Sequence, residues 1–188
     1  KTVEGKLEVL GLIDDIEKMI AGRDDFDNLV SFEQAKRQTD ESLRKGFTNV
    51  CSLTGFMGRW QKIQDNPRVV CDAGHNIGGI KYIREQLERM KCKELRIVFG
   101  MVNDKDITSV LKMMPQNATY YFTQASIKRA MPAKNLKSMA KEYGLTGNSY
   151  PTVSDALQAA INDSDNDDFI FVGGSCFIVA DLLSALKK

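Results

Sequence analysis

An α/β fold is what this sequence predicts: a mostly parallel sheet with helices on both faces, preceded by a helical N-terminal segment. Three observations predict it. From Arg68 onward, short runs rich in β-branched and aromatic residues alternate with segments of helical periodicity. The gaps between those runs are too long for hairpins and long enough to hold a helix. The first sixty residues, by contrast, read as helix and polar connector. Strand and helix repeated in this order need right-handed crossovers, which lay the strands parallel and cover both faces. That is a Rossmann-like α/β domain.

The elements follow in chain order. Val9, Leu12, Ile13, Ile16 and Ile20 recur at helical spacing and Gly22 follows, which predicts an amphipathic helix with a glycine stop. Asp24 to Asn28 is a polar connector. Ser31 with Gln34 has the form of a capping box and opens a second helix through Arg44 that stops near Gly46. A short irregular stretch leads to Gly58-Arg59-Trp60. Strands are expected at Arg68–Cys71, Leu95–Phe99, Ala118–Phe122 and Phe169–Val172, with a short one near Ser149. Ile80, Ile83, Leu87 and Met90 mark the first crossover helix, and Ile107, Val110, Leu111 and Met114 the second. Pro132 suits the first position of a third, ending at Gly144. Ser154 is a candidate cap for a fourth through Ile161, Asn162 to Asp168 forms an acidic turn, and a last helix follows Gly173-Gly174-Ser175. The chain thus divides into a helical lead-in, 1–57, and an α/β domain, 58–188.

Composition bounds the function. A chain of 188 residues has room for one domain plus an appendage, and 43% apolar with 27% charged residues suits a soluble core rather than a disordered polymer. Lys plus Arg exceed Asp plus Glu by one (26 against 25), so no strong field favours nucleic acid or an anionic membrane. Four scattered cysteines without a Cys-x-x-Cys pair, and a single histidine, His75, leave tetrahedral zinc no ligand set, and no metal site is expected. Cys71 and Cys176 lie in or beside apolar runs, as small hydrophobes in a reducing, cytoplasmic compartment. No apolar stretch approaches the ~20 residues that span a bilayer, and no signal-peptide core precedes the first helix. Starting at Lys1 fits a processed product or a piece of a longer protein.

Ligands of such sheets bind beyond the carboxyl ends of the strands, so those loops carry the candidates. Asp72-Ala73-Gly74-His75-Asn76 follows the first strand. A carboxylate there can accept ribose hydroxyls or orient a cation, His75 can accept or donate, and a helix N-terminus suits an anion. Equally, Asp72 and Asn76 can close the turn and cap the helix with His75 packed over them. Lys105, in Asn103-Asp104-Lys105-Asp106, can reach a phosphate or simply belong to a solvated cap. Gly173-Gly174-Ser175 lets backbone approach a ligand closely, or makes a tight turn with Ser175 as N-cap. A phosphate loop, a dinucleotide glycine fingerprint and a Gly-x-Ser-x-Gly elbow are all missing from the sequence.

Taken together, Gly58-Arg59-Trp60, Arg68 to Asn76, Val98-Phe99-Gly100 with Asp104-Lys105-Asp106, and Gly173-Gly174-Ser175 resemble, in order and spacing, the C-terminal domain of the folylpolyglutamate and dihydrofolate synthases of the Mur ligase superfamily. The likeness covers roughly residues 45–188, and its most specific element is an arginine thirteen positions before the aspartate. The family usually reads Asp-Gly-Ala-His-Asn-Pro at the main motif; here glycine and alanine are exchanged and Ile77 replaces proline. Cys176-Phe177 stands where leucine and tyrosine are common.

The resemblance implies an ATP-dependent amide ligase of folate and one-carbon metabolism. It would add L-glutamate to dihydropteroate or folate through an acyl phosphate. Its phosphate loop and Mg²⁺ ligands belong to an N-terminal ATPase domain, absent from this chain, over which the C-terminal domain closes; the fragment alone is expected to be inactive. By the same resemblance, Arg59 and Asp72 bind ATP, the guanidinium on phosphate and the carboxylate from the opposite side. His75 and Ser175 lie toward glutamate, His75 helping to orient or deprotonate its ammonium. Read without the family, Arg59 is a surface residue. The alternatives are another Mur-type amino-acid ligase, or a non-catalytic α/β module that captures phosphate or a small anion.

Overall fold

The computed structural model describes residues 32–103 and 106–186. The helix expected around Val9 to Ile20 and the capping Ser31 lie outside them, as does Lys105. Two compact units divide the chain at Gly55 and Phe56. In the first, helix α1 (Phe32–Thr54) is long and polar, with a Lys45–Glu41 ion pair one turn apart at 2.9 Å. Gly46 does not stop it, as the sequence suggested. A single interior glycine costs a helix only about 1 kcal/mol, and the stop falls at Gly55, which takes the left-handed φ of +67°.

The second unit holds a six-stranded sheet in the order β1-β2-β6-β3-β4-β5. Its strands are β1 (Gln61–Gln64), β2 (Arg68–Asp72), β3 (Leu95–Phe99), β4 (Thr119–Phe122), β5 (Thr146–Ser149) and β6 (Phe169–Gly173). All neighbours are parallel except β1, which runs antiparallel to β2 as an edge strand. Sequence patterning missed β1. Gln61-Lys62-Ile63-Gln64 has neither the apolar run of a buried strand nor a clear alternation, because an edge strand needs neither.

Helices α2 (Ile77–Glu88), α3 (Ile107–Met113) and α4 (Ala133–Lys141) bury Ile80, Ile83, Leu87, Val110, Leu111 and Leu136 against one face. There they meet Val70, Ile97, Phe99, Tyr120, Phe122, Phe169 and Phe171. On the other face α5 (Val153–Asn162) and α6 (Cys176–Ala185) set Ala156, Leu157, Ile178, Val179 and Leu182 against Val69, Cys71, Val98, Tyr121, Ile170 and Val172. The central strands β2, β3 and β6 are therefore apolar on consecutive residues, the pattern that made them legible. Two cap assignments shift. Thr152, not Ser154, caps α5, its Oγ1 accepting the Asp155 N–H at 3.1 Å. Pro132 sits one position before α4, and the Gln124 side chain accepts the Ala133 N–H at 3.0 Å.

Burial also sets thiol chemistry. Cys71 lies inside β2; burial, with the Asp72 charge beside it, pushes its thiol up to about 11, while Cys176 is exposed. Burial likewise pushes Tyr121 up to about 12. The folded state holds both protons beyond the pH at which the unfolded chain releases them. Their contribution to stability is thus complete below an ordinary thiol's range near 9 and is lost as pH rises through 11 and 12. Urea midpoints are expected to be level up to pH 8.5 and to fall above 9. In the same samples Ellman's reagent should modify Cys176 in the native protein and reach Cys71 only on unfolding.

Candidate functional site

The sheet's topology fixes where a ligand can lie. β2 leads into α2 on one face, and β6, its neighbour, leads into α6 on the other. Their exit loops diverge and leave a crevice at the carboxyl ends of the strands. Asp72 and Gly173 are register partners at that edge, and Phe99 pairs with Gly173 from the far side. The chain then turns at Gly174, whose φ is +94°; a Cβ there would lie 2.5 Å from the Phe99 ring and 2.6 Å from the Gly100 carbonyl oxygen. Only glycine fits.

Asp72 is 8% exposed, yet its carboxylate is surrounded by donors. The Trp60 N–H donates to Oδ2 at 2.8 Å and the Gly74 N–H to Oδ1 at 2.7 Å; Arg59 Nη1 reaches Oδ1 at 3.4 Å. The 58–60 loop and the tip of β2 are joined again where the Ala73 N–H donates to the Gly58 carbonyl at 2.8 Å. So the arginine and the aspartate, thirteen positions apart in sequence, meet in space. The Arg59 side chain remains 53% exposed, its guanidinium fork still open to solvent.

The loop that carries Arg59 is tightly specified. Gly58 has φ +78°, and a Cβ on it would come within 2.8 Å of Val179 Cγ1. Trp60 has φ +41°, a left-handed conformation that costs a bulky L-residue on the order of 1–2 kcal/mol. It is held by the hydrogen bond to Asp72 and by its indole, which packs 6.3 Å from the Phe169 ring and 6.0 Å from Phe171. Neither Ala73 nor Gly74 takes a positive φ. The exchange of these two residues in the motif therefore does not act through backbone handedness. Packing is the constraint at Gly74 instead: a Cβ there would meet Ile83 Cδ1 at 2.6 Å, so the end of that side chain would have to shift to admit the alanine usual in the family.

His75 is half-buried, with Nδ1 3.0 Å from the Ala73 carbonyl oxygen. A carbonyl can only accept, so Nδ1 carries the proton in that contact, and in the neutral ring Nε2 keeps its lone pair. Asn76 caps α2, its Oδ1 accepting the Gly79 N–H at 2.8 Å. Ser175 caps α6 in the same way, accepting the Phe177 N–H at 3.2 Å, and is only 2% exposed. The structure thus gives Asn76 and Ser175 their capping roles. It brings Arg59 to Asp72, and it puts His75 on the loop that begins at Asp72, next to the strand that Ser175 follows. Arg59 is the residue that local patterning misses, because the contact depends on β1 folding back along β2.

Among the described residues no cluster of His, Cys, Asp and Glu side chains is placed to hold a metal. No described helix is long and apolar enough to cross a membrane. A cavity of about 570 Å³ lies at the opposite end of the strands, bordered by Asp65, Arg68, Lys91, Lys93, Asp167 and Asp168. Its charges are mixed, and two are already committed: Lys93 pairs with Asp165 at 2.6 Å and Asp168 with Arg96 at 3.0 Å.

Residues 58–176 match the family model of the Mur ligase glutamate ligase domain. Among curated proteins, the chain is 28% identical to the dihydrofolate synthase/folylpolyglutamate synthase of Escherichia coli over 150 residues, 79% of this chain and 34% of that protein. It is 25% identical to the enzyme of the same name from Buchnera aphidicola, over 71% of this chain and 32% of that protein. Its fold superposes on E. coli FolC in complex with DHPP and ADP with a TM-score of 0.64 at 27% identity, covering 70% of this chain and 31% of that one. A bifunctional folylpolyglutamate synthase/dihydrofolate synthase with Mn, AMPPNP and L-glutamate bound gives 0.63 at 27% identity, covering 71% of this chain and 32% of that one. The chain spans about a third of the length of these relatives. Family model, sheet order and motif spacing agree: the chain belongs to the Mur ligase family, as a glutamate ligase domain related to the folylpolyglutamate and dihydrofolate synthases.

Proposed function

We propose that residues 58–188 are the C-terminal, glutamate-adding domain of an ATP-dependent amide ligase that joins L-glutamate to dihydropteroate or folate, following the helical lead-in 1–57. The observation that carries this reading is the meeting of Arg59 and Asp72, 3.4 Å apart, at the crevice where the exit loops of β2 and β6 diverge. ATP, when bound, supplies the phosphoryl group that activates the substrate carboxylate. The residues here fit one side of its phosphates. Arg59 offers an exposed guanidinium whose bidentate fork matches phosphate oxygens, and Asp72, anchored beneath it on the same side, holds that guanidinium toward the nucleotide rather than reaching it from the opposite side.

His75 is the residue for the incoming amine. With Nδ1–H committed to Ala73, its Nε2 is the free acceptor that orients the glutamate ammonium and takes its proton. Ser175 acts on the same substrate by fixing the first turn of α6, whose backbone N–H groups suit a carboxylate. Mg²⁺ finds no donor set among the described residues; on this reading its ligands and the phosphate cradle belong to an N-terminal ATPase domain over which this one closes, in a cytoplasmic enzyme.

The test is Arg59→Ala in the full-length ligase, assayed for ATP- and glutamate-dependent product. Because Arg59 is exposed, the melting temperature should stay within a degree or two of wild type, while KM for ATP rises about tenfold or more and KM for glutamate changes little. Wild-type ATP kinetics in a folded Arg59→Ala enzyme would remove it from the nucleotide site. Muramyl nucleotide and folate acceptors, offered in parallel, separate the folate reading from that of a cell-wall ligase.

A further inference from the structure

We infer that Trp60 is a positioning residue for the nucleotide site, acting through Arg59; the inference rests on the nucleotide reading of Arg59 given above. Residues 59 and 60 have opposite surroundings. Arg59 is turned out to solvent, whereas Trp60, at φ +41°, is turned down onto Phe169 and Phe171 of the central strand β6. A bulky residue does not hold a left-handed conformation unless its surroundings impose it. Here they do so twice, through the aromatic contacts below and through the N–H bond to Asp72 Oδ2 at 2.8 Å.

The consequence reaches Arg59. Its backbone is clamped between Gly58, whose carbonyl is bonded to Ala73 at 2.8 Å and whose N–H donates to Gln61 Oε1 at 2.7 Å, and Trp60. Of these ties only the indole reaches the interior of the sheet. It joins the orientation of an exposed guanidinium to the most buried strand of the domain, as preorganised phosphate contacts require. Asp72 then serves as the fixed post of the same loop, bonding Trp60 and Arg59 at once.

The experiment is a double-mutant cycle in the full-length ligase, reading KM for ATP and kcat separately. Trp60→Ala is expected to raise KM for ATP about tenfold with a smaller effect on kcat, and Trp60→Phe, which keeps a flat ring on β6, to stay within about threefold of wild type. The double variant with Arg59→Ala should be no worse than Arg59→Ala alone, since both changes remove one contact. Should Trp60→Ala fail to fold, Trp60→Leu, which keeps apolar bulk without the flat ring, carries the same expectation. A merely structural tryptophan gives a different result: kcat per mole of protein falls with the folded fraction and KM for ATP does not move. That outcome, or additive effects of the two substitutions, overturns the inference and leaves the nucleotide reading standing. An unchanged KM in Arg59→Ala removes both.

Discussion

Asp72→Ala is expected to destabilise the chain by about 2–4 kcal/mol and, in the full-length ligase, to raise KM for ATP at least as far as Arg59→Ala does. The stability loss follows from what the carboxylate holds. Two backbone N–H groups, of Trp60 and Gly74, donate to it at 2.8 and 2.7 Å inside a largely buried corner. Removing the acceptor leaves each donor to find water or go unpaired, at about 1–3 kcal/mol apiece, with the partial exposure of the Trp60 loop keeping the sum in the lower half of the combined range. The kinetic loss follows because the 58–60 loop loses its post and Arg59 its partner together. Asp72→Asn sharpens the point. It preserves shape, but its amide nitrogen must face one of the two N–H donors, so it should lose roughly half as much stability as alanine does. Urea denaturation measures the first effect and initial rates at varied ATP the second. A stable Asp72→Ala protein with wild-type ATP kinetics would show that the corner is neither support nor site.

That corner also marks how far the amino-acid sequence can be read. Asp72, His75 and Ser175 were visible because each lies within a few residues of an apolar run whose strand identity is plain, and strand-end loops are where α/β domains place ligands. Arg59 was visible only through family resemblance. The element that brings it to Asp72 is β1, four residues of which three are Gln or Lys, and an edge strand pairs through its backbone rather than through a legible side-chain pattern. Trp60 is partly buried against the sheet, and its left-handed backbone is a tertiary effect with no local signal. Misplaced boundaries have similar causes. Gly46 was a plausible stop for α1, yet Gly55, by taking positive φ, is the real one. Thr152 and Ser154 are both good caps, and only the position of the Asp155 N–H chooses between them.

At the opposite end of the strands, Asp168→Ala is expected to cost about 3–5 kcal/mol and to leave the ATP kinetics of whatever protein remains folded unchanged. Asp168 is 3% exposed and accepts four hydrogen bonds. They come from Arg96 Nε and Nη2 at 3.2 and 3.0 Å, the Asp165 N–H at 3.0 Å and the Glu94 N–H at 3.2 Å. These bonds fasten the acidic turn after α5 to the start of β3, across the entrance of β6. Alanine leaves a mostly buried guanidinium whose remaining partner is the Tyr121 hydroxyl, at 3.3 Å from Nη1. An ion pair of this kind contributes little when compared with a well-packed apolar pair, but removing one partner strands the other's charge, and that is the larger effect. The loss should appear in the urea midpoint and in the yield of folded protein. KM for ATP should not change, because the ribbon of the sheet separates this network from the crevice at the carboxyl ends. Asp72 and Asp168 terminate and precede neighbouring parallel strands, both carboxylates are buried, and both are bonded to backbone N–H groups and an arginine. What distinguishes them is the arginine: Arg96 is 14% exposed and faces inward, whereas Arg59 is 53% exposed and faces out. A change in KM for ATP in folded Asp168→Ala would mean that the two ends of the sheet are coupled, and that an exposed guanidinium at the strand tips is not a sufficient mark of the nucleotide side.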